Sequence, residues 1–551
     1  MKGAICIKYN VLTEPWLQVQ DAQGRMKHVS MFDIFQNAKE YQELAFPLQM
    51  TNSAVLVFLT GFITDAYLQS KTQIEDEDGN EYETCALFEN PPQLGGEFDM
   101  NILNRYIELC ESENVSFDLF DEENPFLQIP RSSLDFLKDA KIDDIGFVDA
   151  RCVSGNNSRL IEAKENHAMT SAEAIAALIT QTRYAANMGG RNAAGNLNGA
   201  DLLFFFRKGQ NLYETIVLNM LLRGKGGNSR ESSVYGIPWY RCMSTINPEN
   251  GFPEASLGWL NGTFFMRTMY RLILDSDGYV RTAYKSYALG KKTRDYPSWI
   301  DPYQLRSNSK NGVFPIKYAE NRFVCYDEPE MFQSDKDFGN TYSIFKRACD
   351  EAKDLPFESQ CGFMSYGQQL RKGSTVMYDT RQDITICAGL LQDSEAAERY
   401  RIMVKYIAED CRSTSASSPS AKLKVALKNA CLTEADQKRS NGGFAQTISD
   451  YVDLEFSVIL KNLFEKYIMN ILPGLANNEI KDLSVNGIAE WNLSWRTDIK
   501  NAILTSFDSF TFRYAADSVT RIRVIVAREQ LEKGIDKKWF PKTKAKKGDI
   551  N

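Results

Sequence analysis

The sequence predicts an α+β fold: a large mixed domain of short strands and helices over residues 1–388, then a C-terminal four-helix bundle with a basic tail over 389–551. Three observations carry this. Short apolar runs broken by Pro, Gly and Asn fill the first two thirds of the chain. Helical periodicity takes over near residue 388. A chain of 551 residues is also longer than one compact core organises.

Ile5, Ile7 and Tyr9 alternate with other side chains, Pro15-Trp16 interrupts, and Leu17 and Val19 alternate again up to a turn at 21–24, which reads as short strands. Ser30 before MFDIFQNA reads as the N-cap of a short helix. Residues 51–68 are apolar at helical spacing and predict a buried helix, whereas the acidic stretch 75–83 reads as a solvated loop. A helical pattern resumes at 102–110, and Asn124-Pro125-Phe126-Leu127 turns the chain into an extended segment. DLLFFFR (201–207) predicts a buried strand and 212–222 a buried helix. A glycine-rich loop with basic residues follows at 224–233, and 285–317 is basic and rich in turns. Residues 363–378 read strand, polar turn, strand: a hairpin with Gln368 and Gln369 early in its turn and Arg371 and Lys372 at its tip.

Beyond residue 388, helices are expected at 394–412, 419–431, 446–471 and 496–533. Ile448, Val452, Phe456, Ile459, Leu460, Leu463 and Tyr467 mark one apolar stripe. Residues 520–548 carry ten Lys and Arg against three Asp and Glu, either a solvated tail or a surface for phosphates.

A net charge of −8 argues against a protein coated in nucleic acid, so any such contact must use local patches. The eleven cysteines form no C-x-x-C pair, which leaves no sign of zinc or a disulfide framework and fits a reducing compartment. The start lacks an apolar leader and no stretch has about 18 uninterrupted apolar residues, so a cytoplasmic protein without membrane contact is expected. The two histidines, His28 and His167, lie far apart and in no metal-binding spacing; no Walker A or G-x-G-x-x-G motif is present. These absences favour a protein that is not an enzyme and needs no cofactor. A metal-dependent nuclease built from carboxylates alone is the alternative.

The stretch 151–191 stands out. A polar turn, Ser154-Gly155-Asn156-Asn157-Ser158-Arg159, precedes a helix and a second turn, Met188-Gly189-Gly190-Arg191. Small residues that donate and accept hydrogen bonds suit close approach to another polymer, and equally suit a plain connector.

Taken in order, several segments resemble the CasA family, the large subunit of the type I-E CRISPR surveillance complex Cascade. YNVLTEPWLQV with VSMFDIF is similar to that family's opening strand and short helix, and Asn124-Pro125-Phe126-Leu127-Gln128 to its H-P-F-x-Q segment. Ser154-Gly155-Asn156-Asn157 with TSAEAIAALITQTRYAANMGGRN resembles its DNA-facing loop, helix and glycine loop. Residues 364–383 resemble its wedge hairpin and the helical tail its bundle.

The resemblance implies a non-catalytic subunit of an antiviral complex that reads the protospacer-adjacent motif on double-stranded DNA. It further implies duplex opening, R-loop formation and docking of a helicase–nuclease. The implied partners are the backbone, small and guide-end subunits, the guide RNA and the target duplex. The implied DNA-binding residues are Ser154 to Arg159, Gly189, Gly190, Lys291 or Lys292, Gln368, Gln369, Arg371 and Lys372. Where many relatives carry a cysteine-rich zinc insertion, this chain has no cysteine between Cys242 and Cys325. A scaffold that recruits the nuclease without reading DNA is a further alternative.

Overall fold

The computed structural model describes residues 8–75, 81–134, 141–148, 167–184, 202–220, 260, 269–286, 301–304, 306–309, 312–318, 344–356, 359–371, 375–392, 402, 407–408, 411, 418–433, 443–476, 485–514 and 518–539. They fall into two compact units. One comprises Met1–Glu320, Ser334–Ala348 and Cys361–Thr385; the other comprises Asn321–Gln333, Cys349–Gln360 and Ile386–Asn551.

The first unit opens with β1 (Leu17–Asp21), β2 (Met26–Val29), α1 (Met31–Asn37) and β3 (Tyr41–Leu44), the strands forming a sheet in the order β2-β1-β3. Ser30 caps α1 in a reciprocal box with Asp33, as its position before the apolar run implies. Then comes α2 (Gln49–Gln69), on which the unit is built. Its residues from Met50 to Tyr67 are all buried, so it has no solvent face. Phe58 and Phe62 lie at the centre of a ring cluster with Trp16, Phe35, Tyr106, Phe117 and Phe126. Its length and hydropathy match a bilayer span, but 94% of its most apolar window is enclosed by protein.

Of the acidic stretch 75–83 expected to be a loop, Glu75 and 81–83 are strand and 76–80 lie outside the described residues: β4 (Lys71–Glu75) pairs antiparallel with β5 (Glu81–Cys85). The described side chains of the two strands are mostly exposed, and so the ribbon lacks an apolar alternation that would reveal it. After α3 (Met100–Ser112), the Asn124–Gln128 segment forms a tight turn rather than an extended run, with Leu127 at φ 55°. The buried Gln128 holds that turn, donating to the carbonyls of Leu119 and Phe126 and accepting from the Leu272 amide.

Further on are β6 (Lys141–Asp144), α4 (Ser171–Tyr184), β7 (Leu203–Lys208), α5 (Leu212–Asn219), β8 (Met269–Leu274) and β9 (Val280–Ser286). The ribbon β10 (Arg306–Ser309) with β11 (Gly312–Pro315) follows, then β12 (Gln360–Arg371) and β13 (Thr375–Cys387). Sheets run β6-β9-β8 and β13-β12-β7. Phe204, Phe205 and Phe206 are consecutive and fully buried, so β7 is covered on both faces, as its unbroken apolar run predicts.

The second unit holds α6 (Pro419–Cys431), capped by Ser418 with Pro at its first turn. Next, α7 (Phe444–Asp450) passes through a π-helical turn (Tyr451–Phe456) into α8 (Ser457–Ala476). The expected helix 496–533 is two helices, α9 (Val485–Tyr514) and α10 (Ser518–Trp539). Of the expected helix 394–412 only 402, 407, 408 and 411 are described, all helical. Of the expected stripe, Ile448, Val452, Phe456, Leu460 and Tyr467 are buried, whereas Ile459 is exposed. Phe464, outside that stripe, is buried. The π-turn adds a residue to one turn and rotates the following face, which accounts for the shift.

Candidate nucleic-acid interface

The hairpin of β12 and β13 gives the site its frame. β12 lies between its neighbours, pairing antiparallel with β7 from Gly362↔Lys208 to Gly367↔Leu203, with one further bond from the Gln368 amide to the Leu202 carbonyl. Gly367 is needed at the last rung: a Cβ there would stand 2.1 Å from the ring of Tyr318. Past this point the two strands run on to the connection at 372–374 without β7 beside them. Three residues at strand rise carry the hairpin about 10 Å further.

Gln368 is therefore not in the turn. It is a buried strand residue whose Nε2 lies 3.5 Å from the Met50 sulfur, at the hairpin's root. The cause is that β12 persists to Arg371, with every residue from Phe363 to Gln368 buried. Gln369 and Arg371 belong to β12 by their backbone; their side chains lie outside the described residues, as does Lys372. Ser154, Gly155, Asn156, Asn157, Ser158, Arg159, Gly189, Gly190, Lys291 and Lys292 also lie outside the described residues.

The ends from which these segments leave are described, and they converge. Val148, three residues before Arg151, accepts from Gln181 Nε2 at 2.8 Å. Gln181 belongs to the last turn of α4, which ends at Tyr184, five residues before Gly189. One residue from there, Arg183 meets Asp301, nine residues after Lys292, at 2.5 Å with both side chains buried. The Arg183 guanidinium also lies over the rings of Phe204 and Tyr303. Tyr184 and Ser53 share a hydroxyl hydrogen bond of 2.5 Å, and Thr180 donates to Thr51 at 3.0 Å, both joining α4 to the first turns of α2.

The hairpin reaches the same place. Asp379 of β13 accepts from the amides of Gln49 (2.7 Å) and Met50 (2.8 Å), one to each carboxylate oxygen. These amides open α2, whose N-cap, Leu48, has no side chain to serve them. Burial raises the Asp379 carboxyl to about 6, against the opposing effect of the two amides. Nearby, Arg381 joins Glu43 and Asp383 and lies over the Tyr366 ring, while Lys208 also meets Asp383. Burial pushes the Tyr366 hydroxyl up to about 12. Sequence reasoning missed Asp379, Arg183 and Asp301. The readable signal was indirect: a strongly apolar helix with no Ser, Thr, Asp or Asn just ahead of it must find its acceptor elsewhere.

Part of the basic surface is occupied. Arg528 pairs with Asp508, Lys533 with Glu529, and Arg523 donates to the Leu432 carbonyl. Arg521 and Lys537 are exposed, and residues 540–551 lie outside the described residues. Among the described residues no three or more His, Cys, Asp or Glu side chains are grouped to hold a metal ion.

Residues 10–486 match the family described as CRISPR-associated protein Cse1. The chain belongs to the Cse1 family. Its fold is similar to that of Thermus thermophilus CasA (Cse1), at 17% identity and a TM-score of 0.63 over 96% of this chain and all of that one. That structure carries both names, so the CasA resemblance and the Cse1 family are one. Thermobifida fusca Cse1 is similar at 15% identity and a TM-score of 0.64, over 97% of this chain and 98% of that one. A chain of a CRISPR RNA-guided surveillance complex is similar at 18% identity and a TM-score of 0.59, over 96% and 99%. A comparison with curated proteins finds no match.

Proposed function

We propose that this Cse1-family chain is the non-catalytic DNA-reading subunit of an RNA-guided antiviral complex. It reads a protospacer-adjacent motif on double-stranded DNA and opens the duplex to start the R-loop. Guide pairing supplies most of the sequence information, so the protein need read only a short motif and hold the backbone. Its partners in this reading are the backbone, small and guide-end subunits, the guide RNA, the target duplex and a helicase–nuclease.

The observation that carries the reading is the convergence of roots. Val148, Gln181, Tyr184, Asp301 and Asp379 come from segments far apart in sequence, yet are tied directly or through α4 to the opening turns of α2. Loops anchored together on a rigid, buried helix suit a surface that must meet one short stretch of DNA. The test is a titration at fixed salt of the guide-loaded complex, with and without this chain, on duplexes differing only beside the target. Tighter binding to some flanks supports a motif reader; equal tightening of all flanks defeats it.

Docking is a second role, supported by Val519, Ile522, Ile525 and Val526, which are exposed along α10. Charged substitutions at Ile522 and Ile525 are expected to weaken helicase–nuclease recruitment while leaving flank discrimination unchanged.

A further inference from the structure

Three features meet at the base of the hairpin. First, the register of β12 with β7 ends at Gly367, one residue before the last bond from the Gln368 amide to Leu202, so among the described residues the grip on the hairpin lies at its base. Second, both strands grip the same turn of α2 at that level: Gln368 reaches Met50, and Asp379 takes the amides of Gln49 and Met50. Ser365 Oγ donates to the Gln382 carbonyl, so three residues along each antiparallel strand bring Gln368 beside Asp379. Third, α2 has no end cap of its own, so the clasp is its cap as well.

We infer that Asp379 is a positioning residue for strand separation: by binding the open end of α2 it fixes the base, and so the direction, of the β12–β13 hairpin. This rests on the reading of the hairpin as the duplex-opening element. A carboxylate is required because both oxygens accept. An asparagine offers one oxygen and turns its NH2 toward the other amide, which loosens the base without emptying the space. Tyr184 and Tyr366 face Asp379, with the Arg381, Glu43 and Asp383 cluster beyond Tyr366, and Asp379's recorded hydrogen bonds are those to the two α2 amides.

The test uses the guide-loaded complex and a target duplex carrying 2-aminopurine at the first base pairs beside the flanking motif. D379N is expected to slow opening at least tenfold at pH 7.5 and to bind a pre-melted bubble within twofold of the parent. Its thermal midpoint should be no lower, an outcome that general destabilisation would not produce. Q49P removes one of the same hydrogen bonds from the other partner, at a helix position that suits proline, and should slow opening alike. Deleting 372–374 in D379N should give no further slowing. If the tip deletion slows opening but D379N and Q49P do not, the positioning role is wrong and the opening role stands. If the tip deletion itself changes nothing, the opening role fails and the inference falls with it. Multiplicative slowing in the combined variant would mean that Asp379 acts elsewhere.

Discussion

Asp379 keeps its proton to about pH 6 because burial penalises the charge more than two amides favour it. An ordinary carboxyl in the unfolded chain releases its proton near 3.8. The folded state thus binds the proton more tightly, so this stabilisation is complete below about pH 4 and is lost as pH rises through 6. Linkage puts the loss on the order of 3 kcal/mol. Urea unfolding from pH 4 to 7.5 should show the parent losing that much more than D379N; parallel curves would contradict the shift. The fully enclosed pair Arg183 and Asp301 behaves differently. D301A should cost about 3–5 kcal/mol, because it leaves a buried guanidinium without its anion, whereas replacing both with apolar residues of similar volume should cost far less. Neither pair of partners was legible in the sequence, since the groups lie 118 residues apart in one case and 330 in the other.

Among the elements, legibility followed local pattern. The Ser30 cap, the buried helix α2, the apolar strand β7 and the helix Pro419–Cys431 each carry their instruction within a dozen or so residues. The break between α9 and α10 does not: Ala515 and Ala516 are strong helix formers, so periodicity runs through it. The β4–β5 ribbon was hidden by its charge. In the hairpin, the strands could be read but their extent could not, because β12 continues to Arg371 through the polar residues Gln368 and Gln369, which read locally as a turn. G367A should destabilise the unit by about 1–3 kcal/mol through overpacking, and Y318A in the same chain should recover part of it in chemical denaturation. R371A with K372A should slow duplex opening and spare pre-melted DNA; equal loss on both substrates would sink the wedge assignment. Bulky residues in place of Ser154 to Asn157 should abolish flank discrimination before guide-dependent binding.

For the molecule as a whole, the net charge of −8 and the basic C-terminal stretch make different demands. Arg528, Lys533 and Arg523 are engaged within the protein, so in the proposed reading a sequence-blind contact would draw on exposed cations such as Arg521 and Lys537 and on the four lysines of 540–551. Deleting 540–551 should flatten the slope of log affinity against log salt, by roughly 0.9 for each phosphate left without its cation. Discrimination between flanks should be unchanged. Family and fold class could be read from landmarks in order, but the common anchorage of the loops could not, because it exists only in the folded arrangement.

The uncapped start of α2 also ties folding to synthesis. Gln49 and Met50 leave the ribosome long before Asp379, the acceptor 330 residues downstream of Gln49. At about 5–20 residues per second the interval is roughly 15–70 s. Throughout it, an apolar helix with an open end waits for its closing strand. A fragment ending at residue 320, which lacks Asp379 and its strand, should therefore aggregate rather than fold.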